Sequence, residues 1–174
     1  MTRFVSVATA VLDAPREVAF DVIVPIDLIR IMTGTRLVPA VVAVSGQTGD
    51  WDAAGQRRSV HLSDGSVLQE RLTALDRPHR FAYDIGGFTG VLGRLVSAAR
   101  GEWDFLDTGT SATVIAWRYA FVATSPLLAP LLWLFVRLAW VGYMRRVLQA
   151  AVTIVEASVR QAGRPDEANR QAAD

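Results

Sequence analysis

LLAPLLWLFVRLAWVGYMRRVLQAAVTIVEASVR, residues 127–160, decides how the rest of the chain is read. Ser125-Pro126 supplies a helix start signal, and Gly163 with Pro165 supplies a stop. Pro130 falls early enough to be tolerated in or just before the first full turn, so either proline suits the start. At steps of roughly 100° per residue, Arg145, Gln149, Thr153, Glu156 and Arg160 share one face, and Met144, Val147, Ala151, Ile154 and Val155 lie opposite. The apolar stripe continues back through Tyr143, Trp140, Val136 and Trp133. The polar stripe instead runs into Leu138, Phe135, Leu131 and Leu127. One long helix is therefore expected, amphipathic at its C-terminal end and apolar all round at its N-terminal end.

A helix of that kind needs a sheet beneath it, and the chain ahead supplies one. Arg3–Val11 alternates and is rich in Val and Thr, which reads as a strand. Pro15 opens a helix running to about Val24, with Glu17 near its positive end, and Pro25 separates it from a second short helix at Ile26–Met32. Strands follow at Val38–Val44, Arg57–Leu62, Ser66–Leu75, from Pro78 through Ile85, up to Trp103 and Phe105, and at Ser111–Ala123. The turn Ser63-Asp64-Gly65 admits two registers. A three-residue loop with Gly65 left-handed matches apolar rows, setting Val60 opposite Leu68 and Arg58 opposite Glu70. Gly86–Gly93 reads as a flexible loop without the spacing of a nucleotide-binding turn. Residues 163–174 read as a polar disordered tail behind a domain spanning 1–162.

Composition narrows the function. The chain of 174 residues is 51% hydrophobic and 20% charged with a net charge of +1, which suits a globular domain and leaves no electrostatic footprint for nucleic acid. No cysteine is present, which removes thiol catalysis and Cys-based zinc sites, and the two histidines, His61 and His79, are too few for a multi-histidine metal centre. No metal or cofactor is expected. The start of the chain lacks the apolar core of a secretory signal, so a cytoplasmic location is expected. A membrane span over the apolar helix is disfavoured by Arg137 in its middle, which costs about 3 kcal/mol at a bilayer centre.

The candidate chemistry centres on Glu70. It lies in a row with Leu68 and Leu72; if that row faces inward, its buried carboxylate needs a partner, and Arg58 would supply one. It reads as a ligand anchor, as a general base, or as half of a structural ion pair. Arg118, on the slim face of the last strand, reads as merely solvated. The outer stripe Leu127, Leu131, Leu134, Phe135 and Leu138 is too contiguous for water, so it reads as a peripheral membrane contact, a homodimer face, or a surface covered by a neighbouring segment.

The order of elements resembles the START-like (SRPBCC) helix-grip superfamily, and most closely its bacterial polyketide cyclase/dehydrase-like group. The matching features include Ala14-Pro15 before the first helix, Arg58 and Val60 ahead of Asp64-Gly65, Glu70, Pro78 with Tyr83, Trp103, and Thr113 with Trp117 before the long helix. The resemblance implies an α+β fold in which a curved seven-stranded antiparallel sheet grips the C-terminal helix around a ligand cavity, with two short helices between the first two strands. It implies that Glu70 anchors the ligand, and that Arg58, Tyr83, Trp103, Trp117, Tyr119, Trp133 and Trp140 line the space. A hydrophobic small molecule, lipid- or polyketide-like, is the expected partner. The alternatives are an aromatase/cyclase or dehydratase using Glu70 as acid and base, and a protein-interaction module with a filled core.

Overall fold

A computed structural model describes residues 1–109 and 111–162; the tail expected at 163–174 lies outside the described residues. Seven strands form one antiparallel sheet in the order β1-β7-β6-β5-β4-β3-β2. They are β1 (Arg3–Leu12), β2 (Val41–Ser45), β3 (Arg57–Leu62), β4 (Val67–Asp76), β5 (Arg80–Gly86), β6 (Val96–Asp107) and β7 (Thr113–Ala123). Consecutive strands from β2 to β7 are neighbours, as short connections between antiparallel strands favour, and β1 closes on β7. Helices α1 (Arg16–Ile23) and α2 (Leu28–Ile31) lie between β1 and β2. Pro15 stands at the N-cap of α1, and Asp27 caps α2 by accepting from the Ile29 N–H at 3.0 Å. The Thr113 hydroxyl donates to the Ala14 carbonyl at 2.6 Å, which ties the last strand to the start of α1.

The β3–β4 hairpin takes the register that matched apolar rows: Val60 faces Leu68 and Arg58 faces Glu70. Gly65 holds the required left-handed conformation at φ 80°. Asp64 Oδ1 stabilises the turn by accepting from the Ser66 N–H at 2.9 Å and the Ser66 hydroxyl at 2.5 Å. On β7 the bulky row Thr113, Ile115, Trp117, Tyr119 and Phe121 is buried throughout. The other face of the sheet carries an ion network. Arg100 reaches Asp84 at 2.8 Å and Glu102 at 2.9 Å, and Arg118 reaches Glu102 at 3.2 Å, so Arg118 is paired and not merely solvated.

The sequence reading needs a correction at Gly86–Gly93: it is not wholly a loop, because Gly90–Leu95 forms a short helix, α3. Four glycines in eight residues hide its helical tendency. The helix is held from outside, by half-buried Leu92 and Leu95 packing on the core.

The C-terminal helix spans Pro126–Ala162, 37 residues. It comprises a 3-10 turn (Pro126–Leu128), α4 (Ala129–Phe135), a π-helical turn (Val136–Trp140) and α5 (Val141–Ala162). Helix α5 packs along β1 and α1, burying Tyr143, Met144, Val147, Leu148, Ala151, Val152 and Val155. The π turn is marked by the Val141 N–H donating to the Val136 carbonyl, five residues back. Its wider turn rotates less per residue and retards the helical phase by roughly 80°. Leu132 therefore lies in line with Trp140 and is fully buried, whereas Trp133, expected inside, is 50% exposed.

Candidate functional site

The sheet's inner face and the C-terminal helix leave a cavity of about 440 Å³ between them. Its wall is built from alternate residues of three strand segments, Val60 and Leu62 on β3, Leu68 and Glu70 on β4, and Tyr119 and Phe121 on β7, with Tyr83 from β5. Phe135, Trp140 and Tyr143 close it from the helix, Leu92 from α3, and Leu37 and Val38 from the segment before β2. A solid core is therefore not what the concave sheet encloses.

Gly101 sets where the Tyr83 ring of that wall lies. On β6 it stands between Tyr83 on β5 and Tyr119 on β7. A Cβ at this position would overlap the Tyr83 ring, so only glycine lets the phenol lean across β6. The signal was present in the sequence, as a glycine inside a strand rich in aromatic neighbours, but it names no partner until the register is known.

Glu70 and Arg58 are buried, with 8% and 7% of their surface exposed, and the Arg58 Nε–H donates to Glu70 Oε2 at 2.7 Å. The Arg58 guanidinium also stacks 3.9 Å from the centre of the Trp51 ring. Trp51 is 1% exposed and sits at φ 63°, in a polar Gly-rich turn around Gly46–Gly55 where no sequence pattern singles it out. The two charges share the smaller of two voids, and only one of them reaches the larger. Glu70 and Tyr83 line both the main cavity and a second void of about 30 Å³, whereas Arg58, Trp103 and Trp117 line only the smaller void. Glu70 thus presents its carboxylate to the main cavity while Arg58, clamped by Trp51, holds it from behind. Of the expected lining residues, Glu70, Tyr83, Tyr119 and Trp140 meet in the main cavity. Arg58, Trp103 and Trp117 back them, and Trp133 is on the outside. Phe135, expected in the outer stripe, is half-buried and lines the cavity instead.

Burial pushes the Tyr83 hydroxyl well above its ordinary range and the Glu70 charge adds to this, while the indoles of Trp103 and Trp117 and the Arg58 charge offset part of it. The Trp117 Nε1–H lies near that oxygen without meeting hydrogen-bond geometry. Tyr119 is also raised well above its ordinary value, first by burial and then by Tyr83, Glu70 and Tyr143. Tyr143 is pushed up to about 12 by burial, against a hydrogen bond with the Gly34 backbone that lowers it. The site therefore holds one carboxylate, which accepts hydrogen bonds, and three protonated phenols, of which Tyr143 is already bonded to the Gly34 backbone, in an apolar space. Among the described residues, no three His, Asp or Glu side chains gather to hold a metal ion.

These are the only three tyrosines in the chain, which makes their titration a direct probe. A phenol whose pKa is higher in the folded protein stabilises it fully below the ordinary value of 10.0, and loses that contribution as pH rises through the folded value, about 12 for Tyr143. For Tyr143 the contribution is about 3 kcal/mol. Absorbance at the tyrosinate band should show no step centred on the ordinary phenol value, and should rise only together with loss of near-ultraviolet circular dichroism. A reversible step near the ordinary value with the fold intact would show a tyrosine open to water.

A family model described as polyketide cyclase / dehydrase and lipid transport matches residues 3–156. No curated protein matches the chain closely enough to count as a relative. Norcoclaurine synthase from Thalictrum flavum, solved with dopamine and hydroxybenzaldehyde, superposes with a TM-score of 0.68 at 15% identity, covering 90% of this chain and 88% of that one. The Zhui aromatase/cyclase from Streptomyces sp. R1128 superposes with a TM-score of 0.63 at 18% identity, over 93% of this chain and 99% of that one. The major latex-like protein 151 of Panax ginseng gives 0.60 at 10% identity, over 87% and 96%. At these identities the structural likenesses establish the shared fold.

Proposed function

The chain belongs to the polyketide cyclase / dehydrase and lipid transport family, and from that premise we propose that it binds a hydrophobic, lipid- or polyketide-like small molecule in the cavity between sheet and helix. The observation that carries this reading is the about 440 Å³ of space walled by apolar and aromatic side chains, with one buried carboxylate at its base. A pocket of that size and lining suits a drug-sized apolar ligand oriented by a few polar groups. An ionised carboxylate only accepts hydrogen bonds, so Glu70 selects a ligand hydroxyl; the phenols of Tyr83 and Tyr119 suit a carbonyl. That two of the structural neighbours are named as a synthase and an aromatase/cyclase, one holding small aromatic compounds, supports an aromatic ligand.

A naphthol and naphthalene test the anchor. The naphthol should bind about tenfold more tightly, the increment of one hydrogen bond to a charged group. Glu70→Gln, which keeps the shape and an oxygen for Arg58, should remove most of that difference while leaving naphthalene affinity unchanged. Equal binding of both compounds by the wild-type protein would remove Glu70 from the ligand site, and failure of either to bind would remove the cavity reading. The second reading, a cyclase or dehydratase in which Glu70 moves a proton, is favoured by the closeness of Glu70 to two protonated phenols. It requires that Glu70→Gln abolish turnover of a polyketide substrate far more than it weakens binding.

A further inference from the structure

The N-terminal half of the C-terminal helix is unlike an ordinary core helix. The helix is long and apolar enough to cross a membrane, yet only 33% of its most apolar window is buried. It does not span, because α5 is packed into the fold against β1 and α1. The uncovered part is the 3-10 turn, α4 and the π turn, where Leu127 is 91% exposed, Leu131 52%, Leu134 43% and Leu138 68%. These positions repeat at helical spacing and form one outward stripe. Helix α3 packs beside α4, and on it Val91 is 73% exposed; across the opening Leu37 is 64% exposed. Val91 and Leu37 both line the cavity, as does Phe135 on α4 itself. The apolar stripe is therefore continuous with the rim of the cavity mouth.

Charge decides what covers this surface. Residues 32–41, 88–95 and 126–146, which carry this face and much of the cavity's edge, contain no Asp or Glu. They carry exposed Arg36, Arg94, Arg137 and Arg145, and no ion pair among the described residues holds any of these four. Asp64 is the exposed carboxylate at the mouth, and its Oδ1 is taken by Ser66. A second copy docking by two-fold symmetry would set these four arginines against a like-charged face whose one carboxylate, Asp64, is already engaged by Ser66, so the surface opposes its own dimerisation. Protruding apolar side chains flanked by cations match a bilayer surface with acidic headgroups.

We propose that the α4–α3 face docks on an anionic lipid bilayer, with the cavity mouth turned toward the membrane. Leucines enter the acyl boundary, the arginines meet the headgroups, and Trp133 lies at the interface between them. The proposal rests on the ligand-binding reading only for its purpose, which is to let an apolar ligand pass between bilayer and cavity without crossing water.

Vesicles of phosphatidylcholine, with and without phosphatidylserine, test the full chain by flotation. Binding should require phosphatidylserine and weaken with salt. Arg137→Gln with Arg145→Gln should lower it by about fivefold per arginine, and Leu131→Glu with Leu138→Glu by more than about tenfold. Trp133 is the one exposed tryptophan of five, so its emission should shift to the blue on binding, and Trp133→Phe should remove the shift. Naphthol binding and the thermal transition, measured on the same variants, report whether cavity and fold are intact. Vesicle binding lost with naphthol binding kept supports the docking face, and naphthol failure alone counts against the cavity reading only. Indifference to phosphatidylserine, full binding by the leucine variant, or a dimer that the leucine variant dissociates would each overturn the proposal.

Discussion

Arg58→Met should lower the unfolding free energy by about 3–5 kcal/mol, the cost of stranding a buried carboxylate without its counter-ion. The geometry makes this pair an extreme case. Both side chains are under a tenth exposed, they meet at 2.7 Å, and among the described residues no other side chain donates to Glu70. Loss of the guanidinium from the Trp51 ring adds to the effect. Pairing Arg58→Met with Glu70→Leu removes both charges, and buried ion pairs replaced by apolar residues of similar volume are often neutral or stabilising. The double variant should therefore recover most of the lost stability in urea unfolding, giving a strong favourable coupling in the cycle. It should also lose the preference for naphthol over naphthalene. That outcome would locate the reason for the pair in ligand recognition and not in folding. A double variant as unstable as Arg58→Met alone would mean that the pair is needed by the fold itself.

The hairpin that brings these two residues together was legible because two independent constraints agreed. Asp64-Gly65 limits the turn geometry, and a one-residue slip would have put Val60 and Leu68 on opposite faces. The bulky row of β7 was legible for the same reason: alternation over eleven residues admits one inward face. Trp51 was not, since a lone aromatic in a Gly-rich turn has no periodic partner to say which way it points. Its backbone is left-handed at φ 63°, and its ring is buried against Arg58. Nor was α3 legible, because its stability comes from Leu92 and Leu95 reaching a core formed by distant strands. The position of the Tyr83 ring in the cavity wall depends on Gly101 lying between Tyr83 and Tyr119, a relation across three strands that no local pattern contains.

The helix phase gives the second large effect, because it assigns opposite fates to two tryptophans on one helix. Trp140→Ala should cost about 3–5 kcal/mol and Trp133→Ala within about 0.5 kcal/mol, both read from urea midpoints. Trp140 is 6% exposed and joins the helix to the sheet through Tyr119 at 4.6 Å and Phe121 at 4.9 Å between ring centres, with Tyr143 at 5.4 Å on the next turn. Removing it opens new space beside an existing cavity, where little can collapse inward to fill it. Trp140→Phe refines the test. The Trp140 Nε1–H is buried without a hydrogen-bond partner, so deleting it relieves a desolvation penalty of about 1–3 kcal/mol and offsets part of the lost packing. The phenylalanine variant should thus be much closer to wild type than to alanine. A regular α-helix through residues 136–140 would instead swing Trp133 toward the core. In that case Trp133→Ala would be the costly change, and the π turn would have no part in aiming the helix at its ligand.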